Sequence, residues 1–470
     1  MKDVIAAFER LGTAGPPQRP EMVVDTACVL GGGLAGLLAA RVLAEHAGRV
    51  VVIERDPAND DSRPRNGVPQ GRHVHTLLPG GLRWMERWLP GLTQQVQDGG
   101  GVLSDPAQTI SYLGDRPRVG TGHRLLMASR PFLEASIRRQ VLTLPNVRVL
   151  RAQATGLAYH GHEVSGVQHV SDAGPQTLSA GIVIDAMGRG SNLPDWLSRD
   201  GYDRPELRRL PTSINYTTAV FERPRGPEEL DLTSAIARFG PPYPDGVAVA
   251  AASAVEGNRW MLLLVGYDDV RPGRTLDAFR AACAKLPPPF AEAAANELAE
   301  EISTYHQADS RRRDFAGTRR LPARLVSLGD AVASFNPIYG QGMSSAALHA
   351  ACLAEFLSSG PDLSRPARGC FELQDIVVDA AWSVSAGGDA ARLDAISGAD
   401  VPEEVSRQRQ ALDQVIRASL VDEKVSRAFA DATFMLAHPA TLADPALIER
   451  AVAVAMAGHA GQAGETRTHG

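Results

Sequence analysis

Three kinds of hydrophobic pattern follow one another along the chain. Residues 23–54 predict a strand, a helix and a second strand, because a buried apolar run enters a glycine-rich turn and a second apolar run follows. Alternating and β-branched stretches at 210–221 and 247–267 predict antiparallel strands. Beyond residue 370 apolar residues recur at helical spacing, with no strand candidate. The order predicts an α/β fold with a separate middle sheet and a helical C-terminal region.

Shorter patterns complete this outline. Helical spacing or start signals are found at 77–92, 131–142, 276–302 and 343–357, the third of these interrupted by three prolines. A short apolar run at 325–328 predicts a return to the first sheet. Residues 1–22 contain several prolines and are predicted to be a loosely attached extension.

Composition narrows the class of protein. The chain has 470 residues and a formal net charge of −6, which favours small-molecule partners over nucleic acid or an anionic membrane surface. No apolar run reaches the roughly 18 residues that would span a bilayer. The cysteines are scattered without a metal-binding spacing, and we interpret them as buried apolar residues of a cytoplasmic protein. They are Cys28, Cys283, Cys352 and Cys370.

A glycine-rich turn separates the first predicted strand from its helix. Gly31 allows a tight turn, Gly33 lets the backbone approach a pyrophosphate, and Gly36 lets the helix pack closely on the strand. The helix N-terminus offers free N–H groups to phosphates, and Glu54, at the end of the next strand, can accept hydrogen bonds from a ribose. The pattern predicts an adenine dinucleotide site. Its predicted contacts are Gly31, Gly33, Leu34, Ala35, Gly36, Glu54 and Arg55.

A second glycine-rich segment, late in the chain, suits the other half of a flavin dinucleotide. Asp330 follows a buried apolar run, so its carboxylate can bond a ribityl hydroxyl. Pro337, Gly340 and Gly342 allow the backbone to lie against a flat ring. A helix beginning near Met343 would direct its positive end at that ring and stabilise the negative charge of reduced flavin. The two segments together predict FAD.

Two further segments establish a family resemblance. Residues 67–75 read Gly-Val-Pro-Gln-Gly-Arg-His-Val-His, and Arg130 stands in Ala-Ser-Arg-Pro. With the two glycine-rich segments, they make residues 25–390 resemble the FAD-dependent monooxygenases of the para-hydroxybenzoate hydroxylase fold. Residues 67–75 and 330–343 are similar to bacterial epoxidases and hydroxylases that act on polyketide or terpenoid intermediates.

The resemblance implies a domain architecture. It implies a Rossmann-like FAD-binding domain of the glutathione reductase type, an inserted antiparallel-sheet substrate domain and a C-terminal helical region. Arg130 occupies the place of a family arginine that reaches the FAD diphosphate, a role that suits its two-pronged donor group. The predicted divisions are 1–22 for the N-terminal extension, 23–80, 125–200 and 318–370 for the FAD-binding domain, 81–124 and 201–317 for the substrate domain, and 371–470 for the helical region.

The resemblance also implies an activity. NADPH or NADH would serve as a transient reductant, and one oxygen atom would pass to a small lipophilic molecule as an epoxide or hydroxyl, in bacterial secondary metabolism such as antibiotic biosynthesis. One departure keeps alternatives open, because residues 187–189 read Met-Gly-Arg, without the acid that aromatic hydroxylases carry before that glycine. The alternatives are a non-redox cyclase that keeps FAD as a scaffold and a reductase of isoprenoid chains. A halogenase is disfavoured, since Lys285 and Lys424 do not lie in the setting of that family's lysine.

Catalytic residues are less strongly indicated than cofactor contacts. His73 and His75 are the candidates for an acid or base, because imidazole titrates near neutrality. We favour the interpretation that they order the loop or contact FAD, since oxygen transfer to an alkene requires a dry apolar pocket rather than a base. Trp84 and Trp88 are interpreted as core, and the arginines at 311–313 as a solvated run near a domain crossing.

Overall fold

The structure is a computed structural model that describes residues 2–57, 63–65, 67–224 and 230–465. The helices are α1 (Lys2–Thr13), α2 (Leu34–Leu43), α3 (Pro79–Trp88), α4 (Leu92–Asp98), α5 (Arg130–Leu142), α6 (Leu193–Arg199), α7 (Leu276–Cys283), α8 (Pro288–Ala294), α9 (Gly342–Ser358), α10 (Arg368–Ser397), α11 (Glu403–Ala418), α12 (Glu423–Thr433) and α13 (Pro445–Glu465). The strands are β1 (Val24–Leu30), β2 (Ala47–Glu54), β3 (Thr76–Leu77), β4 (Val102–Leu103), β5 (Thr109–Leu113), β6 (Arg116–Pro117), β7 (Leu126–Met127), β8 (Val147–Arg151), β9 (Gln153–His160), β10 (Glu163–Ser171), β11 (Gly174–Ser179), β12 (Ile182–Asp185), β13 (Glu206–Glu222), β14 (Ser234–Arg238), β15 (Val249–Val255), β16 (Arg259–Tyr267), β17 (Leu298–Asp314), β18 (Leu325–Ser327) and β19 (Ala333–Ser334).

A five-stranded parallel sheet forms the first layer, in the order β18-β12-β1-β2-β8. Its central strands are nearly continuous apolar runs, as expected for strands that are buried on both faces. The sequence-distant β18 pairs with β12, so the predicted return of the chain to the first sheet is confirmed. Because all five strands are parallel, their carboxyl ends meet at one edge, where ligands bind in open α/β sheets.

An eight-stranded sheet forms the second layer, in the order β19-β17-β13-β16-β15-β14-β5-β6. Its pairs are antiparallel except for the parallel pair of β14 with β5. One face packs on α7 and α8 through residues such as Phe221 and Phe279. Since side chains alternate along a strand, Ile214, Tyr216 and Val265 lie on the opposite face. That second face is the inner face, which contacts loops of the first layer.

The predicted α/β class and the antiparallel middle sheet are confirmed. The domain boundaries stay a prediction. Three-stranded sheets formed by β9, β10 and β11 and by β3, β4 and β7 were not predicted, because their strands are short or largely exposed on one side. In the described part of the C-terminal region, α10 to α13 are the regular elements and no strand is found, as predicted.

Three local predictions are wrong. Residues 2–13 form α1 rather than a loose extension, because Phe8 and Leu11 are fully buried against the main core. Residues 276–302 contain two short helices and then the start of β17, so Ile302 lies in a strand. The arginines at 311–313 also lie in β17, paired with β13, where Arg312 bonds the carboxylate of Asp379 at 2.6 Å. The side chains of Arg311 and Arg312 are held by the carboxylates of Asp309 and Asp379, which a linear charge pattern does not show.

The remaining core predictions agree with the structure. Trp84 and Trp88 are fully buried and stacked with ring centroids 5.2 Å apart, so they belong to the core. All the cysteines are buried. Among the described residues, no helix combines the length and apolarity needed to cross a membrane.

Candidate functional site

The glycine-rich turn lies at the carboxyl edge of the parallel sheet, between β1 and α2. Gly31 has a φ of +96°, and a Cβ there would stand 2.6 Å from the carbonyl oxygen of Ala186. A Cβ on Gly36 would stand 1.9 Å from the carbonyl oxygen of Gly31. Both positions therefore require glycine, and the predicted close packing of the turn on its helix is present. Gly33 is the residue that precedes α2.

Glu54 ends β2 directly beside this turn. Its Oε2 accepts a 2.7 Å hydrogen bond from the Gly32 amide, and its Oε1 accepts one of 2.9 Å from the Asp56 amide. The carboxylate is thereby fixed next to the glycine turn, where the sequence places a ribose contact. Arg55, the next residue, is exposed.

A cluster of arginines surrounds Glu134 beside the turn. Arg65 donates to Glu134 at 2.8 Å and Arg130 donates to it at 3.2 Å. Arg138, one turn further along α5, donates to the carbonyl oxygen of Gly32 at 2.8 Å. Burial acts to raise the pKa of Glu134, but the charges of Arg130, Arg65 and Arg138 outweigh it and hold that pKa below its usual range. Glu134 is therefore a buried anion that positions three cations.

These arginines line a cleft that opens to solvent. Arg63, Arg65, Arg130 and Arg138 contribute cationic groups to its walls, and Glu134 is the one carboxylate among the described residues that line it. Within the described residues, Nε of Arg130 and Nη1 of Arg138 are buried without a hydrogen-bond partner. Because buried donors are normally paired, donors left over beside a glycine turn and a helix N-terminus fit a diphosphate.

The second glycine-rich segment meets the first at Gly329. A Cβ on Gly329 would stand 2.6 Å from the Cβ of Ala35, and the Gly329 amide donates to Nδ1 of His349 at 2.9 Å. Leu34 is buried and Ala35 half-buried at the start of α2. Tertiary structure thus brings together the two segments that the sequence assigns to opposite halves of FAD. His349 was not predicted, although it holds the turn before Asp330.

Asp330 lies in this junction. Its carboxylate makes none of the hydrogen bonds found among the described residues, and burial raises its pKa, partly offset by the charges of Arg130 and Arg189. A carboxylate in this position can accept hydrogen bonds from hydroxyl groups of a ligand. The predicted ribityl contact therefore has a suitable acceptor.

The segment from Pro337 to Met343 forms a short 3-10 turn, a left-handed residue and then α9. Gly340 has a φ of +69°, which favours glycine. A Cβ on Gly342 would meet nothing within 4 Å, so open space lies before the N-terminus of α9. Gln341 precedes this helix, and both atoms of its amide are buried without a partner within the described chain. An open space beside unused polar groups and a helix N-terminus fits the polar edge of a flavin ring.

Residues 187–189, which lack the acid that aromatic hydroxylases carry before the glycine, form a turn that is held by its neighbours. Asp185 is buried at the end of β12, where it accepts hydrogen bonds from Ser191 at 2.7 Å, from Ser327 at 3.0 Å and from the Met187 amide at 3.0 Å. Arg189 donates to Ser334 at 2.7 Å and forms a short ion pair with Asp309. Asp185 therefore holds this turn together, and Arg189 connects it to β17 and β19.

The two candidate histidines lie on the loop that joins the layers. His73 is 2% exposed, its Nδ1 lies 2.8 Å from the hydroxyl of Thr218, and burial and the charge of Arg72 lower its pKa to about 4. Nδ1 of His75 lies 2.8 Å from the His73 carbonyl oxygen, and burial and the charge of Arg130 lower its pKa to about 3. Both imidazoles are neutral at physiological pH. His73 connects the loop to the sheet and His75 bonds within the loop, which agrees with the ordering role favoured from the sequence.

A group of aromatic residues lies on the inner face of the eight-stranded sheet. Tyr216 and Tyr305 have ring centroids 6.3 Å apart, and each ring lies 5.7 Å from that of His73. Tyr267 and Ile338 pack against the same apolar cluster. Because Ile338 belongs to the segment before α9, the predicted flavin contacts and this aromatic face are neighbours.

Helix α10 covers part of this face. Asp389 on α10 is 1% exposed and accepts a 2.7 Å hydrogen bond from Asn336. A Cβ on Gly388 would stand 2.0 Å from the hydroxyl of Tyr339, so α10 packs closely on that ring. Arg392 lies over the ring of Tyr267 at 4.0 Å. The sequence does not indicate Gly388, Asp389 or Arg392, because nothing local to α10 shows which of its residues face the site.

No protein-family profile matches the chain. It is 34% identical over 352 residues to Protein Rv3254 of Mycobacterium tuberculosis, across 71% of this chain and 73% of that protein. The chain belongs to the family of Protein Rv3254. It is also 26% identical over 386 residues to kynurenine 3-monooxygenase of Salinispora arenicola, across 73% of this chain and 74% of that enzyme.

Solved structures of flavin-dependent enzymes share the fold. A flavin-dependent brominase matches with a TM-score of 0.63 at 15% identity, across 92% of this chain and 98% of the brominase. The p-nitrophenol 4-monooxygenase of Pseudomonas putida matches with a TM-score of 0.61 at 18% identity, across 88% and 99% of the two chains. The predicted fold, that of FAD-dependent monooxygenases of the para-hydroxybenzoate hydroxylase type, is confirmed. Similarity at this level concerns the fold and leaves the reaction to be argued from the site.

Proposed function

We propose that this protein is an FAD-dependent monooxygenase that adds one oxygen atom to a small lipophilic substrate, with NADPH or NADH as the reductant. The observation that carries the proposal is the junction at Gly329. Gly329 packs against the start of α2, next to the turn that Arg138 of the arginine-lined cleft contacts. The same late segment carries the open space at Gly342, and its Ile338 packs against the aromatic inner face of the sheet. A diphosphate group, a flavin ring and an apolar substrate are the ligands that these three parts suit.

The roles of the residues follow from their chemistry. Arg130 and Arg138 bind the diphosphate through their unused N–H groups, and Glu54 and Asp330 accept hydrogen bonds from ribose and ribityl hydroxyls. The N-terminus of α9 stabilises negative charge on the ring. FAD, reduced by the nicotinamide nucleotide, supplies the oxygen activation. The apolar inner sheet face and the neutral His73 keep water away from the substrate side.

The substrate part of the proposal has two sources. Resemblance at 67–75 and 330–343 favours a polyketide- or terpenoid-like intermediate, epoxidised or hydroxylated in bacterial secondary metabolism. The names of kynurenine 3-monooxygenase and p-nitrophenol 4-monooxygenase point to hydroxylation of aromatic rings in those relatives. The tyrosines on the inner face suit either class, because both present flat, unsaturated surfaces. Polyenes and phenols therefore belong in the same substrate screen.

The test is turnover under ¹⁸O₂. FAD-loaded protein is incubated with NADPH or NADH and a panel of polyenes and phenols, and oxygen uptake and product mass are recorded. The proposal predicts one labelled oxygen atom per product and one nicotinamide oxidised per oxygen consumed. Gly36→Ala, which forces a steric clash at the glycine turn, is the inactive control.

Other outcomes identify the alternatives. A product isomeric with its substrate, formed without oxygen or nicotinamide, would replace the proposal with the non-redox cyclase. A saturated product without oxygen uptake would indicate a reductase. A halide-dependent gain of halogen would indicate a halogenase.

A further inference from the structure

Asp389 is a buried carboxylate with one unused oxygen. It lies on α10 and is 1% exposed, and its Oδ1 accepts the 2.7 Å hydrogen bond from Nδ2 of Asn336. Its Oδ2 is buried and has no partner within the described residues. A buried carboxylate oxygen without a donor is costly, so a ligand donor in this position would relieve a penalty already present in the fold.

The orientation of Asn336 is fixed by a second bond. Its Oδ1 accepts a 3.2 Å hydrogen bond from the Ile338 amide and caps the short turn before α9. Its NH₂ group must therefore face Asp389. This arrangement ties Oδ1 of Asp389 to the predicted flavin segment and leaves Oδ2 for another donor.

The surroundings of Asp389 are aromatic. Its charge raises the pKa values of Tyr216, Tyr267 and Tyr339, which places the carboxylate among three phenol rings from β13, β16 and the turn before α9, although burial is the larger cause of each shift. The hydroxyl of Tyr216 is itself buried without a partner in the described chain. Arg392, one helical turn away, bonds Asp268 at 3.0 Å and the carbonyl oxygen of Thr212 at 3.2 Å. Burial raises the pKa of Asp389 to about 6 and the charge of Arg392 partly offsets this effect, but Arg392 donates no hydrogen bond to Oδ2.

We propose that Asp389 is a substrate-binding residue, whose free oxygen accepts a hydrogen bond from a hydroxyl or amino group on a ring-bearing apolar substrate. The inference rests on the proposed function, which places the substrate on the inner sheet face. It adds a requirement to that function, because a substrate that lacks a donor at this point leaves the carboxylate unpaired. Discrimination against such analogues is expected to be large, since Oδ2 of Asp389 has no other hydrogen-bond donor within the described residues.

The test compares two probes that differ in a single donor, 2-naphthol and 2-methoxynaphthalene. Isothermal titration calorimetry on the FAD-loaded protein is expected to show at least about tenfold tighter binding of 2-naphthol, as a hydrogen bond to a charged group implies. In Asp389→Asn the new amide directs its oxygen at Asn336 and its NH₂ at the probe, so the preference is expected to disappear. Asp379→Asn, an exposed change on the same helix, is the matched control and retains the preference.

The outcomes separate this inference from the proposed function. Equal affinity for the two probes in the unmodified protein, absence of binding included, overturns the role of Asp389 and requires no substitution. A preference that persists in Asp389→Asn overturns it as well. Weakened FAD binding in that variant with an unchanged preference would instead make Asp389 a positioning residue for the flavin segment. Binding is measured without turnover, so failure to incorporate ¹⁸O leaves the preference measurable.

Discussion

Replacing Gly36 by alanine tests the structure against simple helix propensity. Alanine is favoured over glycine inside a helix by about 1 kcal/mol, so propensity alone predicts a more stable protein. The structure predicts the opposite. The new Cβ would lie 1.9 Å from the carbonyl oxygen of Gly31, where real contacts do not fall below 3.0 Å, so α2 and the turn must separate by about 1.1 Å.

The packing of α2 makes that separation costly. Leu37 and Leu38 on the same helix are fully buried in the main core, so the helix cannot move without disturbing their contacts. Overpacking of this kind costs about 1–3 kcal/mol. The same displacement moves the N–H groups at the start of α2 away from the diphosphate position. We therefore expect a lower unfolding midpoint and at least about tenfold weaker FAD binding, a loss of the order of one charge-assisted hydrogen bond.

A matched control is available in α10. Gly387 is exposed, and a Cβ there would meet nothing within 4 Å. Gly387→Ala is therefore expected to raise the free energy of unfolding by up to about 1 kcal/mol with unchanged FAD affinity. Chemical denaturation and flavin fluorescence titration measure both quantities. If Gly36→Ala is as stable as Gly387→Ala and binds FAD normally, the close packing of the turn on α2 is refuted.

Three further predictions follow from individual contacts. Arg130→Ala is expected to weaken FAD binding by about tenfold or more, and Arg130→Lys is expected to weaken it less. If both variants bind FAD as tightly as the unmodified protein, the diphosphate role of Arg130 is contradicted. Because the folded-state pKa of His73 is about 4, below its ordinary value of 6.5, the unfolded chain binds its proton first and stability falls as pH decreases from 6.5 towards 4. The free energy of unfolding should therefore fall by about 2 kcal/mol less between pH 7 and pH 5 in His73→Asn than in the unmodified protein, as measured by denaturation at the two pH values. An equal fall in the two proteins would mean that His73 is accessible to protons in the folded state. Gly388→Ala places a Cβ 2.0 Å from the Tyr339 hydroxyl and should lower the free energy of unfolding. Adding Tyr339→Phe to the same chain should recover part of that free energy, because it removes the hydroxyl. Strictly additive effects of the two substitutions would argue against the contact.

The glycines of the two glycine-rich segments could be predicted from the sequence because they depend on local backbone geometry. Gly31 and Gly340 have backbone angles that favour glycine, and Gly36 tolerates no Cβ beside the turn. A strand, a turn and a helix occupy adjacent stretches of chain, so their pattern predicts both the fold and the cofactor site. Arg130, Glu134 and Arg138 recur every four residues on α5, a spacing that could have indicated the whole cluster.

The substrate side was decided by tertiary structure alone. Asp389 lies on a helix whose residues are mostly small and apolar, and nothing local distinguishes its role from that of exposed Asp379 on the same helix. Its importance arises because α10 crosses the turn that contains Asn336, far away in the chain. The prediction of a loose extension at residues 1–22 was wrong for a related reason. Phe8 of α1 is buried only because the tertiary structure places the main core against it.

By itself, then, the sequence determined the parallel sheet, the glycine turn and the likeness to flavin enzymes, because these depend on residues close together in the chain. The tertiary structure decided which distant groups face one another across the site. The burial of Asp389 and Tyr216, whose Oδ2 and hydroxyl have no hydrogen-bond partner among the described residues, is a property of packed elements and not of any one segment.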